Sequence, residues 1–235
     1  KMISQAMEGL LGDVSENIFR FLQVEQFFAL LTLAWYGSRL IAEDRRLSAN
    51  LLYFARPVTP LRYIGGKLLT AFAFGALTLL VPALMICGQA AFSSPDWVFL
   101  KEKSWVIWRV LGFSVLWIAV MSSVILAISS CFARKGLALM TTFGLVFLVD
   151  GITQVASQIT GNVNYGLFSL RRNLEAIAEW LFHEQTLVGA MLKGPQDSVP
   201  TGPWNIEGSF WALGIMVMIA FAILWTRVKR LEVIA

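Results

Sequence analysis

The sequence predicts an all-α, polytopic membrane helix bundle, and three observations carry that prediction. The composition is 57% hydrophobic and only 14% charged, with a mean hydropathy of +0.67, which leaves too little polar surface to cover a soluble globule. Several apolar runs reach the length of about 20 residues that a helix needs to cross hydrocarbon. The runs are continuously apolar rather than alternating, the pattern of a helix that satisfies its own backbone hydrogen bonds and not of a barrel strand. The 235 residues are therefore counted in membrane crossings and read as a single transmembrane domain.

In chain order, residues 1–21 come first. Ile3, Met7, Leu10, Leu11, Val14, Ile18, Phe21 and Leu22 recur at helical spacing, with Glu8, Asp13, Glu16 and Arg20 on other faces. This reads as an amphipathic helix at the outer membrane surface that enters the first crossing, 22–41. That crossing carries Glu25 near one end and Arg39 near the other, where a long side chain can snorkel to the headgroups.

The most charged stretch follows, a bridge over residues 43–67. Leu47 to Ala55 has the length of a short helix, with Leu47, Leu51, Leu52 and Phe54 as apolar handholds, and Glu43 to Arg46 offer charges of both signs. Pro57 and Pro60 stop it before Tyr63 starts the next helix. Leu68 to Pro95, Val110 to Ala133 and Gly208 to Thr226 contain no Asp, Glu, Lys or Arg, which places crossings at 68–92, 109–132 and 208–226. A further crossing, 137–156, is interrupted only by Asp150.

Residues 157–207 read as an outer region that lies flat or dips into the membrane. Leu170, Leu174, Ile177, Ala178, Leu181 and Phe182 keep helical spacing among Arg171, Arg172, Glu175 and Glu179, with Ser169 as the N-cap. Gly194 to Pro203 is a turn-rich connection to the last crossing.

Orientation follows from the basic residues. Arg45, Arg46, Arg56, Arg62 and Lys67 lie in the bridge, Arg134 and Lys135 in a short turn, and Arg227, Lys229 and Arg230 in the tail, against only Glu43, Asp44 and Glu232. These three segments belong on the cytoplasmic side, and alternating crossings put all of them on one face. Five crossings with a cytoplasmic C-terminus leave the N-terminus outside, so one more crossing is expected before Lys1.

Most catalytic chemistry is excluded. A single histidine, His183, builds neither a His-rich metal cage nor a Ser/His pair. Cys87 and Cys131 fall toward opposite ends of their helices and read as small packing residues. The stretch "YIGGKLLT" fails the phosphate-loop pattern G-x-x-x-x-G-K-S/T, because Leu61 stands where glycine is needed and Leu68 where Ser or Thr is needed. No metal site and no nucleic-acid partner are expected.

Ionisable groups inside crossings are costly and are retained for function. Asp150, followed by Gly151, Thr153, Gln154, Ser157 and Gln158, makes one helix end polar, facing hydrated headgroups, a cavity or another helix. Arg39, beside Gly37 and Ser38, either snorkels or closes one end of a pathway. Asp150, Gln154, Arg39 and Glu25 are the candidate pathway or intramembrane polar residues.

The run "GSRLIAEDRRLSANLLYFARPVTPLRYIGGKLL", Gly37 to Leu69, resembles a segment of type-2 ATP-binding-cassette (ABC) transporter permeases. In that family a helix end reading roughly "G-x-x-L/I-I-x-E/D-D/R-R" leads through a short helix to "S/A-R-P-V/L-S/T-P/R" and then "Y-I/L-x-G-K". Outside those residues the resemblance is one of hydropathy, the "ARKG" turn and the basic "RVKRLE" tail. It implies six crossings per permease and a place in the cell membrane, that of a bacterial inner membrane. It also implies pairing with a second, identical or related permease, and docking of cytoplasmic ABC ATPase subunits that hold ATP and Mg. This chain itself would carry no cofactor and perform no bond chemistry.

By position, Glu43, Asp44, Arg45 and Arg46 would open the ATPase contact and Leu47 to Phe54 would form the coupling helix. Arg56, Pro57, Tyr63, Gly66 and Lys67 would fix its exit. Three readings follow. A permease would move a hydrophobic or amphipathic substrate; a permease-like transmitter would pass ATP-driven motion to an extracytoplasmic partner without a transport pathway; an intramembrane enzyme would need clustered catalytic residues where the sequence offers only scattered Asp150, Glu25 and His183.

Overall fold

The computed structural model describes residues 2–47, 59–93, 98–182 and 206–234, with side chains from Glu16 onward except at 98, 102, 163 and 231–234. Among the described residues every regular element is helical. Helix α1 spans Met2–Arg46, with no proline anywhere and no glycine between Gly12 and Gly37 to interrupt it. The expected surface segment and first crossing are therefore one unbroken rod, because the backbone meets no breaker where the composition changes. Its span-like part runs over Glu16–Arg46, and Ile18, Phe19 and Leu22 are already buried.

Helix α2 covers Pro60–Ser93, beginning three residues before the expected Tyr63 and carrying the crossing of 68–92 within it. Thr59 is extended at the N-cap and Pro60 occupies the first turn, where its fixed φ suits the helix and its missing N–H is no loss. Arg62 and Lys67 thus stand on the polar first turns of a crossing helix. Ala76–Leu80 is a π-helical stretch within α2. A short α3, Val98–Glu102, precedes α4, Ser104–Cys131.

Helix α5 covers Lys135–Thr160, with a second π stretch at Gly144–Leu148. It ends at Gly161, whose φ of 66° is the left-handed conformation that glycine adopts without strain. A 3-10 turn, Val163–Phe168, leads to α6, Leu170–Phe182, and α7 closes the chain at Ile206–Ile234.

Five helices, α1, α2, α4, α5 and α7, are long and apolar enough to cross a membrane, and the protein is a multi-pass membrane protein. Helix α4 is the axis of the bundle: 61% of its apolar stretch is buried, against 22% for α2, α5 and α7. Two glycines let its neighbours approach. A Cβ on Gly37 of α1 would lie 2.7 Å from Ile125 Cγ2, and one on Gly75 of α2 would lie 2.7 Å from Ile118 Cγ2. Small residues at such contacts allow the close dispersion packing that holds helices together where lipid is as apolar as leucine. Helix α6 is too short to span; it wedges Phe182 against Phe19 of α1 and Phe113 of α4, at ring separations of 5.1 and 6.3 Å.

Candidate functional site

At one end of the bundle, the roots of the bridge are tied to each other and to α4. Asp44, on the last turn of α1, accepts a hydrogen bond from the Tyr63 hydroxyl at 2.8 Å, and its Oδ2 lies 2.7 Å from Lys67 Nζ on α2. The Asp44 and Lys67 side chains are each 17% exposed, so the pair is shielded enough for its electrostatics to count. The Lys67 ammonium also lies 5.5 Å from the Tyr63 ring centroid. Residues at both ends of the bridge therefore converge on one carboxylate.

A second tie fixes this closed root to the axis. The Ser129 hydroxyl of α4 donates to the Ser38 carbonyl at 2.9 Å and accepts from the backbone N–H groups of Ile41 and Ala42 at 3.3 and 3.1 Å. Arg45 Nη1 donates to the Ser130 carbonyl at the C-terminal end of α4. A guanidinium at a helix C-terminus meets otherwise unsatisfied carbonyls and the negative end of the dipole. Glu43 and Arg46 form a looser pair, 3.6 Å apart, on the exposed side. Leu47 is exposed. Leu51, Leu52, Phe54, Arg56 and Pro57 lie outside the described residues.

Toward the other end, Asp150 is not a hydrated interfacial group. Its carboxylate is 13% exposed and turns toward the N-terminus of α6. The Ser169 hydroxyl donates to Asp150 Oδ1 at 2.8 Å while accepting the Arg172 N–H at 3.3 Å, so the expected N-cap also anchors the intramembrane acid. Arg171 and Arg172 approach the same carboxylate at 3.5 and 3.8 Å. Two guanidinium groups and a helix N-terminus compensate this buried charge.

Arg171 Nε then reaches Glu175 Oε1 at 2.8 Å, one turn along α6. Burial pushes the Glu175 carboxyl above its ordinary range, the charges of Asp150 and Glu179 reinforce the rise, and Arg171 opposes it. The remaining candidates are separate from this cluster. Gln154 is half-buried and its carbonyl accepts from Ser157, Glu25 is half-buried on α1, and Arg39 stacks its guanidinium 4.7 Å from the Trp35 ring centroid. The structure thus brings together Asp44, Arg45, Tyr63 and Lys67 at one end and Asp150 with α6 at the other.

Sequence reasoning missed Ser129 and Ser130, and noted Ser38 only as a neighbour of Arg39. It also placed Arg171 and Glu175 on a polar face without pairing them with Asp150. Among the described residues no cluster of His, Cys, Asp and Glu is placed to hold a metal ion, and both cysteines are free. Comparison with protein-family models, with curated proteins and with solved structures finds no match for this chain.

Proposed function

We propose that the chain is the membrane subunit of an ABC transporter, a permease that converts ATP hydrolysis by a separate cytoplasmic ATPase into helix movement. The bridge between α1 and α2 is the grip for that ATPase, with Leu47, Leu51, Leu52 and Phe54 as its apolar contacts and Glu43, Arg45, Arg46 and Arg56 around them. The observation that carries the reading is the closed root of the bridge: Asp44 joined to Tyr63 and Lys67, with Ser129 and Arg45 tying α1 to α4.

A bridge whose roots were separate would absorb a push by flexing. One whose roots are bonded to each other and to the central helix passes the push on as a rigid-body tilt of α1, α2 and α4 together. Orientation supports the same reading, since the bridge and the basic turn after α4 share one end of the bundle, where Arg45 meets Ser130. Pairing with a second permease, the same chain or a related one, completes the transporter, and ATP and Mg belong to the ATPase.

The test is a triple variant, Arg45→Glu, Arg46→Glu and Leu51→Asp, expressed in the native membrane. Retained insertion with loss of the co-purifying ATPase is the expected result. Undiminished ATPase association removes the assignment.

A further inference from the structure

A cavity of about 190 Å³ lies where α1, α4, α5 and α6 meet. Its inner wall is apolar, built from the buried Leu30, Trp117, Met121 and Val146, while Gln23, Gln26, Arg171 and Glu175 supply its polar lining. Val24, Phe27 and Phe147 line its edge and are substantially exposed on the lateral surface of the bundle. Val146 and Phe147 come from the π stretch of α5, a rare irregularity that is frequent at functional sites. At 1.5 Å per residue, Val146 stands roughly 16 Å along α5 from its bridge-end start and Asp150, which Arg171 approaches, roughly 22 Å, so the polar groups lie toward the end of α5 remote from the bridge and the apolar wall lies deeper.

Three features select its occupant. The volume falls below the range of about 300–1,000 Å³ typical of sites that enclose a small molecule, so the cavity takes part of a ligand whose remainder lies in the surrounding bilayer. An apolar wall together with the paired polar groups of Arg171 and Glu175 calls for an amphiphile. With Glu179, whose charge also reaches Glu175, the carboxylates beside Arg171 and Arg172 outnumber the guanidinium groups, so an anionic head would be repelled while a zwitterion can set its phosphate on a guanidinium and its ammonium on a carboxylate. The Arg171–Glu175 pair at 2.8 Å offers a guanidinium and a carboxylate side by side, matching a phosphate and an ammonium.

We propose that this cavity is a binding site for one zwitterionic phospholipid of the surrounding leaflet, its phosphate on Arg171, its ammonium on Glu175, and part of one acyl chain along Leu30, Met121 and Val146. The site is independent of the bridge and goes beyond the coupling reading. It would give α6 a lipid-dependent hold on α1 and α5.

Native mass spectrometry of the purified full chain tests it, with phosphatidylethanolamine and phosphatidylglycerol of identical acyl chains as probes. One phosphatidylethanolamine should be retained about tenfold more tightly than phosphatidylglycerol, the ratio expected for one charge-assisted contact. The double variant Arg171→Gln/Glu175→Gln should erase that preference, and Ala178→Phe, which fills the lining, should abolish retention of both lipids. Circular dichroism confirms that each variant remains folded. Equal retention of the two lipids by the unaltered chain, or retention unchanged in folded Ala178→Phe, overturns the proposal, as does a preference that survives the double variant.

Discussion

Asp44 and Lys67, from opposite ends of the bridge, face each other with Oδ2 and Nζ 2.7 Å apart, and Tyr63 donates its hydroxyl proton to the same oxygen. This pairing sets the geometry of the bridge root. Lys67→Met leaves a shielded carboxylate with one partner fewer, a loss of about 1–3 kcal/mol when a desolvated group is orphaned. The melting temperature in detergent should fall. A cycle with Asp44→Asn, in which the double variant recovers part of the combined loss, would show that the two side chains interact directly.

Ser129 holds α1 with three hydrogen bonds in a fully buried position. Ser129→Ala should destabilise by about 0.5–1.5 kcal/mol, the net worth of a typical intramolecular hydrogen bond. Hydrogen exchange at the Ile41 and Ala42 amides should rise while exchange in α7 stays constant. Equal acceleration in both helices would show general loosening and not a local tie.

The glycine contacts are asymmetric. Gly37→Ala drives a Cβ to 2.7 Å from Ile125 Cγ2, whereas Gly88→Ala meets nothing within 4 Å. The first should destabilise by about 1–3 kcal/mol through overpacking, and in a cycle with Ile125→Ala the double variant should lose less than the sum of the two single losses. The second should be neutral or stabilising, as expected for a helical glycine with free space. Thermal unfolding of the four variants checks the set.

Glu175 makes stability depend on pH in a defined direction. Its carboxyl is held above its ordinary range by burial, so the folded chain keeps the proton more tightly than the unfolded chain. The contribution from this site is fullest below pH 4.5 and is lost as pH rises through the raised folded value. Glu175→Gln should flatten that decline. Thermal midpoints of both proteins across the acidic range decide it, and parallel curves would count against the assignment.

The spans were legible because hydrophobic length is a property of sequence alone; α4 and α7 differ from their apolar runs only at the ends. Tyr63, the expected start of α2, stands three residues inside the observed one, because Pro60 reads as a stop after the bridge as readily as it reads as the first turn of a helix. Ser169 was legible as a cap because it stands directly before an amphipathic run. Its bond to Asp150 was not, because the two residues meet only when α6 folds back onto α5. Ser129 carried no readable signal: a serine in an apolar run announces neither its partner nor its role.

The central claim is that an ATPase grips the bridge, and a photo-crosslinking residue in place of Leu51 tests it most directly. After illumination of native membranes, the account predicts an adduct between this chain and an ATP-binding subunit, lost when Asp44→Asn and Lys67→Met open the bridge root. Adducts confined to lipid, or labelling of a cysteine at the same position by an impermeant reagent from outside the cell, would contradict it.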